Sequence, residues 1–436
     1  MYIFKALLRY TAIFIVTAIL LIGMLLSVAL IPREKIQANM EESAKYLQDK
    51  GAAFPFTTPG IACGKADYYA DAVLLNIAYY LDPKHPAESI SWAHFFSEDK
   101  YNWNSMVTKY LPDAVGKQPE ANQQYIRYWH GSLTIVRPLL MWFNISGIYW
   151  ILGILLFILL GSILIFLIRE GFGKQAAALI LAMIVVSVWY VPVCLEYIWM
   201  FLVMAITSLN VICLSQKKKY NMIPALFLCT GMITIFLDFF TTETLTLLIP
   251  LMFMYMIMQR QNNGTPDWVL GAKCTILWST GYILMWAAKW VFAAVVLKRN
   301  VLPFIQSSIT EHLGSSGEVP IFQLWIRSVR NNVFKLAALS YGMTGAILSL
   351  ILFFCMVFIP VLMNRITIKK KIQKQWAWLY LIMGMIPYLR FIIIPGHSAV
   401  HSWFTYRAQA ASVMALIMVF YEITEITFLK GKDENE

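Results

Sequence analysis

The stretch that decides the fold is GIYWILGILLFILLGSILIFLI, residues 147–168, which contains no charged side chain. A helix rises by about 1.5 Å per residue, so a run of this length crosses the ~30 Å hydrocarbon layer of a bilayer. A helix also satisfies its own backbone hydrogen bonds, which the interior of a membrane demands. The sequence therefore predicts a transmembrane helix that ends at Arg169 and Glu170.

Similar apolar runs recur along the chain, which is 59% hydrophobic and only 14% charged. Soluble domains usually carry about 25% charged residues, so the composition favours an integral membrane protein. We predict an all-α, polytopic membrane helix bundle of about ten transmembrane spans. The spans are predicted near residues 7–30, 147–168, 175–193, 197–214, 222–240, 245–258, 269–297, 333–363, 376–395 and 403–428.

Polar segments of very different length separate these spans. The predicted organisation is a first span in 1–31, a loop subdomain in 32–146, spans in 147–297, a second loop in 298–332, spans in 333–428 and a tail in 429–436. The first loop is rich in tyrosine and tryptophan, so we expect it to fold as short helices that lie against the membrane.

Basic residues concentrate in the short loops. They lie at 169–174, 217–219, 260 and 365–374. All of these loops fall on one side if the N-terminus is cytoplasmic, as the positive-inside rule requires. The net charge of +11 is therefore interpreted as a topology signal and not as a sign of a nucleic-acid partner. We predict a multi-pass protein of the cell membrane with cytoplasmic N- and C-termini and two external long loops.

The first motif whose side chains are suited to catalysis or metal binding is Asp67-Tyr68-Tyr69-Ala70-Asp71, at the start of an apolar run. Four-residue spacing places Asp67 and Asp71 on one face of a helix, one turn apart. Such a pair can hold a divalent cation, or one member can act as a general base. The alternative is that both are first-turn carboxylates favoured by the helix dipole. The sequence identifies no cofactor, and a divalent cation held by this pair stays open.

The second motif is Tyr128-Trp129-His130-Gly131, which Arg137 follows. His130 and Arg137 are candidates for binding a lipid phosphate, since guanidinium groups bind phosphate through two parallel hydrogen bonds. The alternative is anchoring at the membrane interface, for which tryptophan and tyrosine are typical.

A third group contains Asp238 and Glu243, between two apolar runs, and Lys289 in a later span. Ionisable residues within a membrane are costly and tend to mark function. Glu243 can instead lie in the first turn of the next helix. Asp238 needs a partner, and Lys289 is a candidate both for that role and for a ligand-binding cation.

The fourth motif is PGHSAVH, residues 395–401, with Arg407 a few residues further on. No acid accompanies His397 and His401, so support for a zinc site is weak. A buried arginine near two histidines favours a site for an anionic group such as phosphate. The alternative is that Arg407 pairs with a carboxylate such as Asp238.

The topology of the chain resembles that of the GT-C membrane glycosyltransferases. Those enzymes have a long first external loop with an early acidic residue, and often a second long loop after the seventh span; 32–146, 298–332 and Asp67 or Asp71 match these features. The resemblance implies a polyprenyl-phosphate sugar donor, an envelope glycan or lipid acceptor, and inverting transfer outside the cytoplasmic membrane. It implies Asp67 or Asp71 as the base, with donor-phosphate contacts from Arg137, Lys289, His397, His401 and Arg407; His130, Asp238 and Glu243 are further polar candidates.

Three segments also resemble a family of bacterial membrane proteins of unassigned activity, which implies a bacterial origin. They are YWHGSLTIVRPLL (128–140), LDFFTTETLTLLIPL (237–251) and HSAVHSWFTYR (397–407). Three alternatives stay open. One is a structural or scaffolding membrane protein, which would not readily explain why ionisable groups cluster toward the external side. A lipid-linked saccharide ligase or polymerase would use external arginine and histidine and make longer products. A transporter or flippase of envelope precursors would need polar residues at mid-membrane and repeat-related broken helices, of which the sequence shows little.

Overall fold

The computed structural model describes residues 2–55, 65–99, 102–262, 264–314, 319–336, 366–369 and 372–426. These residues are mostly helical. The α-helices are α1 (Tyr2–Ala29), α2 (Gln37–Lys50), α3 (Tyr68–Tyr80), α4 (Pro86–Trp92), α5 (Trp103–Ser105), α6 (Leu111–Gly116), α7 (Leu133–Leu139), α8 (Ile145–Arg169), α9 (Gly173–Val185), α10 (Leu195–Gln216), α11 (Ile223–Leu237), α12 (Leu245–Asn262), α13 (Trp268–Leu297), α14 (Leu302–Leu313), α15 (Ile321–Val333), α16 (Lys374–Ile393), α17 (Pro395–Val400), α18 (Ser402–Thr405) and α19 (Ala410–Ile423).

Short strands form three antiparallel pairs. They are β1 (Ala53–Pro55) with β2 (Lys65–Asp67), β3 (His94–Phe95) with β4 (Gln123–Gln124), and β5 (Ile366–Ile368) with β6 (Thr424–Ile426). Tighter 3-10 turns lie at Arg33–Lys35, Val188–Val193, Tyr220–Met222 and Tyr406–Gln409, and a π-helical turn lies at Met106–Tyr110.

Among the described residues, seven helices are long and apolar enough to cross a membrane. They are Phe4–Ala29, Ile145–Arg169, Leu195–Gln216, Tyr220–Leu237, Trp268–Leu297, Lys374–Ile393 and Ser402–Ile423. This confirms the prediction of an all-helical, multi-pass membrane protein. α9 is apolar but shorter. The span predicted near 333–363 lies almost wholly outside the described residues.

Glycines allow two of these helices to pack with their backbones in close contact. α11 packs along α13, where a Cβ atom on Gly231 would collide with the carbonyl oxygen of Trp278. A Cβ atom on Gly281 would likewise collide with the carbonyl oxygen of Leu228. Small residues at such contacts matter in membranes, because lipid is as apolar as the helices and van der Waals packing drives their association.

The two ends of the bundle differ in composition. At one end, Gln259 donates a hydrogen bond to Glu422 (2.9 Å), Gln261 donates to the Ser215 carbonyl (3.2 Å), and Arg260 donates to the Glu170 carbonyl. The last turns of α8, α10, α12 and α19 therefore meet there, together with several of the basic loops. The opposite end carries the short helices α2 to α7, attached to α8 by a hydrogen bond from the Ile145 amide to Ser43 (2.8 Å).

Candidate functional site

A cavity of about 570 Å³ opens at the end of the bundle that carries the short helices. Stretches distant in sequence meet there: α3, the segment before α7, the first turn of α10, the α11–α12 connection, α14 and the α17–α18 region. The ionisable and phenolic side chains that line it are Asp67, Tyr69, Tyr125, Arg127, Tyr128, His130, Glu196, Glu311, His312, His397 and His401. Polar groups that converge in a pocket of this size are typical of a ligand site.

Asp67 presents its carboxylate to the cavity from the start of α3. It is the N-cap residue, and its Oδ1 atom accepts a hydrogen bond from the Ala70 amide at 3.2 Å. Its Oδ2 atom accepts a hydrogen bond from the indole of Trp403 at 3.1 Å. Trp403 lies 336 residues from Asp67 in the sequence. Together with the Ala70 amide, its indole holds the buried carboxylate in one orientation.

Asp71 lies one turn further along α3 but does not line the cavity. Both of its carboxylate oxygens accept from the amide of Leu195 (3.1 and 3.0 Å), the first residue of α10, and Tyr149 of α8 donates to Oδ2. Burial raises the pKa of Asp71 from 3.8 to about 7, although these hydrogen bonds oppose the rise. Asp71 therefore fastens α3 to two membrane helices.

The two aspartates lie one turn apart, as their spacing predicts, but their carboxylates have different partners; a catalytic role for either one stays a prediction. Asp67 caps the helix from outside the helical conformation, and the oxygens of Asp71 are already taken by Leu195 and Tyr149. Among the described residues, no group of three or more histidine, cysteine or acidic side chains is arranged to hold a metal ion. A divalent cation held by this pair stays a prediction.

Three histidine rings lie next to one another along another wall of the cavity. The ring centroids of His312 and His397 are 5.3 Å apart, and those of His397 and His401 are 4.7 Å apart. His312 donates through Nδ1 to the Ser308 carbonyl, so its Nε2 atom accepts from the Tyr128 hydroxyl at 3.0 Å. Burial lowers the pKa of His312 and of His397 below the usual value for histidine. These two rings are therefore neutral at pH 7 and bring no positive charge to a phosphate.

The cation that lines the cavity is Arg127, which the sequence analysis did not select. Its Nη1 atom pairs with Oε2 of Glu311 on α14 at 2.6 Å. A guanidinium group has five N–H donors, and this bond uses one of them. The position of Arg127, directly before the Tyr128 motif, was the one available signal, since Glu311 is 184 residues away in sequence.

The cations predicted to bind phosphate lie outside the cavity lining and bond to backbone carbonyls. Arg137 donates to Ile31 (2.8 Å) and Leu81 (3.1 Å), and Lys289 donates to Ile90 and Ser91 (both 3.0 Å). Arg407 donates to Trp403 (3.2 Å), and its guanidinium lies 4.4 Å from the centre of the Tyr197 ring. Their contacts join the short helices to the membrane helices or brace one helix turn.

Asp238 and Glu243 are also engaged away from the cavity lining. Asp238 ends α11 and accepts from the Thr241 amide at 3.1 Å, whereas Glu243 pairs with Arg390 at 2.7 Å. Arg390 also donates to Ser398 (2.8 Å) and to the Phe240 carbonyl. The predictions that Lys289 or Arg407 would pair with Asp238 are wrong, since Thr241 supplies the local partner.

Aromatic side chains form the remaining wall. Tyr69 and Trp103 stack with ring centroids 5.2 Å apart and planes 13° apart, and Trp103 meets Trp403 edge-on at 5.6 Å. The faces of such rings carry partial negative charge and attract the weakly positive C–H bonds of a ligand.

A second, apolar groove of about 630 Å³ runs along α8. It is close to the first turn of α3, because Tyr149 in its wall donates a hydrogen bond to Asp71. It lies where α9 stops short of a full span and a 3-10 turn continues, and its walls include Tyr149, Gly153, Phe157 and Pro192. Trp150 on its edge is 72% exposed. The groove is therefore open at the surface of α8.

The chain matches no protein-family model, no curated protein sequence and no solved structure.

Proposed function

We propose that the protein is a membrane glycosyltransferase of GT-C type. It transfers a sugar from a polyprenyl-phosphate donor to a glycan or lipid acceptor of the cell envelope. The observation that carries the proposal is the cavity in which Asp67, Arg127 and a wall of aromatic rings meet at one end of a membrane helix bundle. A carboxylate, a guanidinium and stacking surfaces are what transfer of a sugar from a phosphate requires.

The proposal places the cavity on the outer side of the cytoplasmic membrane. The basic loops lie at the opposite end of the bundle, and basic loops face the cytoplasm. This orientation leaves the N- and C-termini inside and both long loops outside. The proposal also includes about ten spans: the seven candidate helices, α9, α12 and the segment near 333–363.

The proposed reaction is a direct displacement at the anomeric carbon. Asp67 takes the proton of the acceptor hydroxyl while the acceptor oxygen bonds to that carbon. The bond from the carbon to the phosphate oxygen breaks, and the electron pair leaves with the phosphate. Arg127 lies on the cavity wall and can offset the charge that grows on that oxygen. The configuration of the sugar inverts.

The groove along α8 supports a lipid-linked donor. A void of this size that opens to the hydrocarbon core is filled by lipid chains, because water is excluded there. Tyr149 lines the groove and donates its hydroxyl hydrogen bond to Asp71, one turn from Asp67. A prenyl chain in the groove would therefore end close to the catalytic cavity.

The test uses purified full-length protein, radiolabelled polyprenyl-phosphate sugars and an envelope extract, with release of the lipid phosphate as the readout. We expect Asp67→Asn to lower the rate of release by about 10²–10⁴-fold, the usual contribution of a general base. Arg127→Ala should lower it by about 10²–10³-fold. Asp71→Asn should stay within about tenfold of the wild type, because an amide can replace its hydrogen bonds to Leu195 and Tyr149.

The matched control is Asp113→Asn on α6, whose carboxylate pairs with Lys117 outside the cavity lining. It should leave release unchanged. Full release by a folded Asp67→Asn variant, or no release from any donor by folded wild-type protein, would contradict the proposal.

The row of histidines favours a second candidate, a lipid-linked saccharide ligase or polymerase. The imidazole of His397 is neutral, and its Nδ1 atom has no hydrogen-bond partner among the described residues, so a proton acceptor other than Asp67 is present in the same cavity. Product length separates the two functions, since a ligase joins preassembled chains and a glycosyltransferase adds one sugar.

A further inference from the structure

His130 occupies the cavity wall in a backbone conformation that few residues adopt. Its φ angle is +53°, in the left-handed region. The next residue, Gly131, donates its amide hydrogen bond to the Phe236 carbonyl at 2.9 Å, and a Cβ atom there would collide with Phe236. The α11 helix end thus holds the turn in place. Residues kept in sparsely populated conformations concentrate at functional sites.

Hydrogen bonding determines which nitrogen of His130 carries the proton. The Nε2 atom lies 3.0 Å from the carbonyl oxygen of Tyr125, which can only accept, so Nε2 is the protonated nitrogen. Burial lowers the pKa of His130 to about 3, and the nearby charges of Lys289 and Arg127 act in the same direction. The ring is therefore neutral at pH 7, and its Nδ1 atom is an acceptor.

This acceptor has no partner among the residues that the structure describes. The side chain is only 2% exposed, and the rings of Tyr125 and Phe239 lie against it with centroids 5.2 and 5.4 Å away. A buried polar atom without a hydrogen bond is costly. His130 lines the cavity, and its Nδ1 atom is covered by neighbouring side chains, so a ligand that displaces this cover can supply the missing donor.

The chemistry of Nδ1 limits what that ligand can present. A phosphate or a carboxylate offers only lone pairs at neutral pH, which a second lone pair repels. A hydroxyl group offers a hydrogen. The earlier candidate role for His130, binding a lipid phosphate, does not fit this tautomer.

We propose that Nδ1 of His130 accepts a hydrogen bond from one hydroxyl group of a sugar in the cavity, so that His130 determines which sugars bind. The proposal rests on the proposed function, because it takes the occupant of the cavity to be a sugar. His130 is a specificity-determining residue in this proposal and takes no part in proton transfer.

The experiment measures binding without any transfer. Purified full-length protein in detergent is titrated with the methyl glycosides of glucose, galactose, mannose and N-acetylglucosamine, and with the monodeoxy analogues of each, by calorimetry. For a glycoside that binds, we expect one monodeoxy analogue to bind about 10- to 100-fold more weakly. This is the usual loss of affinity when a buried acceptor is left without its hydrogen bond.

Two variants at the same position separate the two ring nitrogens. His130→Gln can keep a donor for the Tyr125 carbonyl but has no acceptor at the Nδ1 position, so it should bind the parent and the deoxy sugar equally. His130→Asn places an amide oxygen near the Nδ1 position and tolerates the left-handed conformation, so it should keep the discrimination. His85→Asn, at an exposed position, is the matched control and should behave as wild type.

A measurement on the wild-type protein covers the case in which variants misfold. In ¹⁵N spectra of histidine-labelled protein, Nδ1 of His130 should stay unprotonated at pH 5 and should shift when the glycoside is added. An unmoved Nδ1 resonance, discrimination that persists in His130→Gln, or no binding by any glycoside would overturn the proposal. Intact discrimination without lipid-phosphate release in the transfer assay would leave it standing and would remove the proposed transfer reaction instead.

Discussion

Two sets of buried or half-buried ionisable residues lie near the same end of this molecule, and they differ in their hydrogen-bond partners. The cavity set, Asp67, Arg127 and His130, lines a space that a ligand can enter. The framework set consists of Asp71, Arg137, Lys289 and the Glu243–Arg390 pair, and its bonds go mostly to backbone atoms of other helices. Burial of a charge in a membrane protein therefore does not mark a site until its partners are known. Variants of the framework set should change stability and leave the specific activity of the folded protein intact.

The largest effect is expected at the Glu243–Arg390 pair. Arg390→Ala leaves Glu243 buried without its cation, and removal of one partner of a buried pair typically costs about 3–5 kcal/mol. The double variant Glu243→Gln with Arg390→Met removes both charges and should cost less than Arg390→Ala alone. The measurement is the free energy of unfolding in mixed micelles. A double variant less stable than the single one would mean that the pair itself contributes net stability.

A pH dependence of stability is expected from Asp71, one of two aspartates in the described part of the chain whose pKa is raised to about 7 by burial; the other is Asp238. Burial raises the pKa of Asp71 to about 7 in the folded protein, against 3.8 ordinarily. Between about pH 4 and 7 the folded state therefore holds a proton that the unfolded state has released. The free energy of unfolding should fall as pH rises through this window, by at most about 1.4 kcal/mol per pH unit.

The Asp71→Asn variant carries no ionisable group at this position and should lose the part of the slope that Asp71 contributes, whereas Asp238 keeps its own part. Asp113→Asn, at a half-buried position of α6 outside the cavity lining, should keep the whole slope. An unchanged slope in Asp71→Asn would assign the pH dependence to other groups and would weaken the placement of Asp71 in the framework set.

Most of the fold was predictable because the length and apolarity of a membrane helix depend only on consecutive residues in the sequence. The run predicted at 269–297 is α13, Trp268–Leu297, and the run predicted at 147–168 lies within α8. The span predicted at 175–193 fails at its second half. α9 ends at Val185, Ser187 adopts φ +54°, and a 3-10 turn that contains Pro192 follows.

The site was only partly predictable, because the decisive contacts join residues far apart in sequence. Asp67, His130, His397 and His401 were selected from local motifs, and all four line the cavity. The motifs could not show that Lys289 bonds to a carbonyl 199 residues away. They also could not single out Arg127, whose partner Glu311 lies on another helix.

Lys289 offers the sharpest contrast between the two sets, with the smallest expected effect on stability. Its ammonium group donates to the Ile90 and Ser91 carbonyls at the end of α4 and lies 5.5 Å from the centre of the Trp129 ring. Lys289→Met keeps most of the side-chain volume but leaves both carbonyls without this donor, so we expect a loss of about 2 kcal/mol. Lys273→Met, at an exposed position of the same helix, should cost less than about 0.5 kcal/mol.

Lipid-phosphate release per folded molecule should be unchanged in both variants. If release fell in Lys289→Met while the folded fraction stayed constant, Lys289 would belong with the ligand-binding cations that the sequence predicted, and the division between cavity and framework would have to be redrawn.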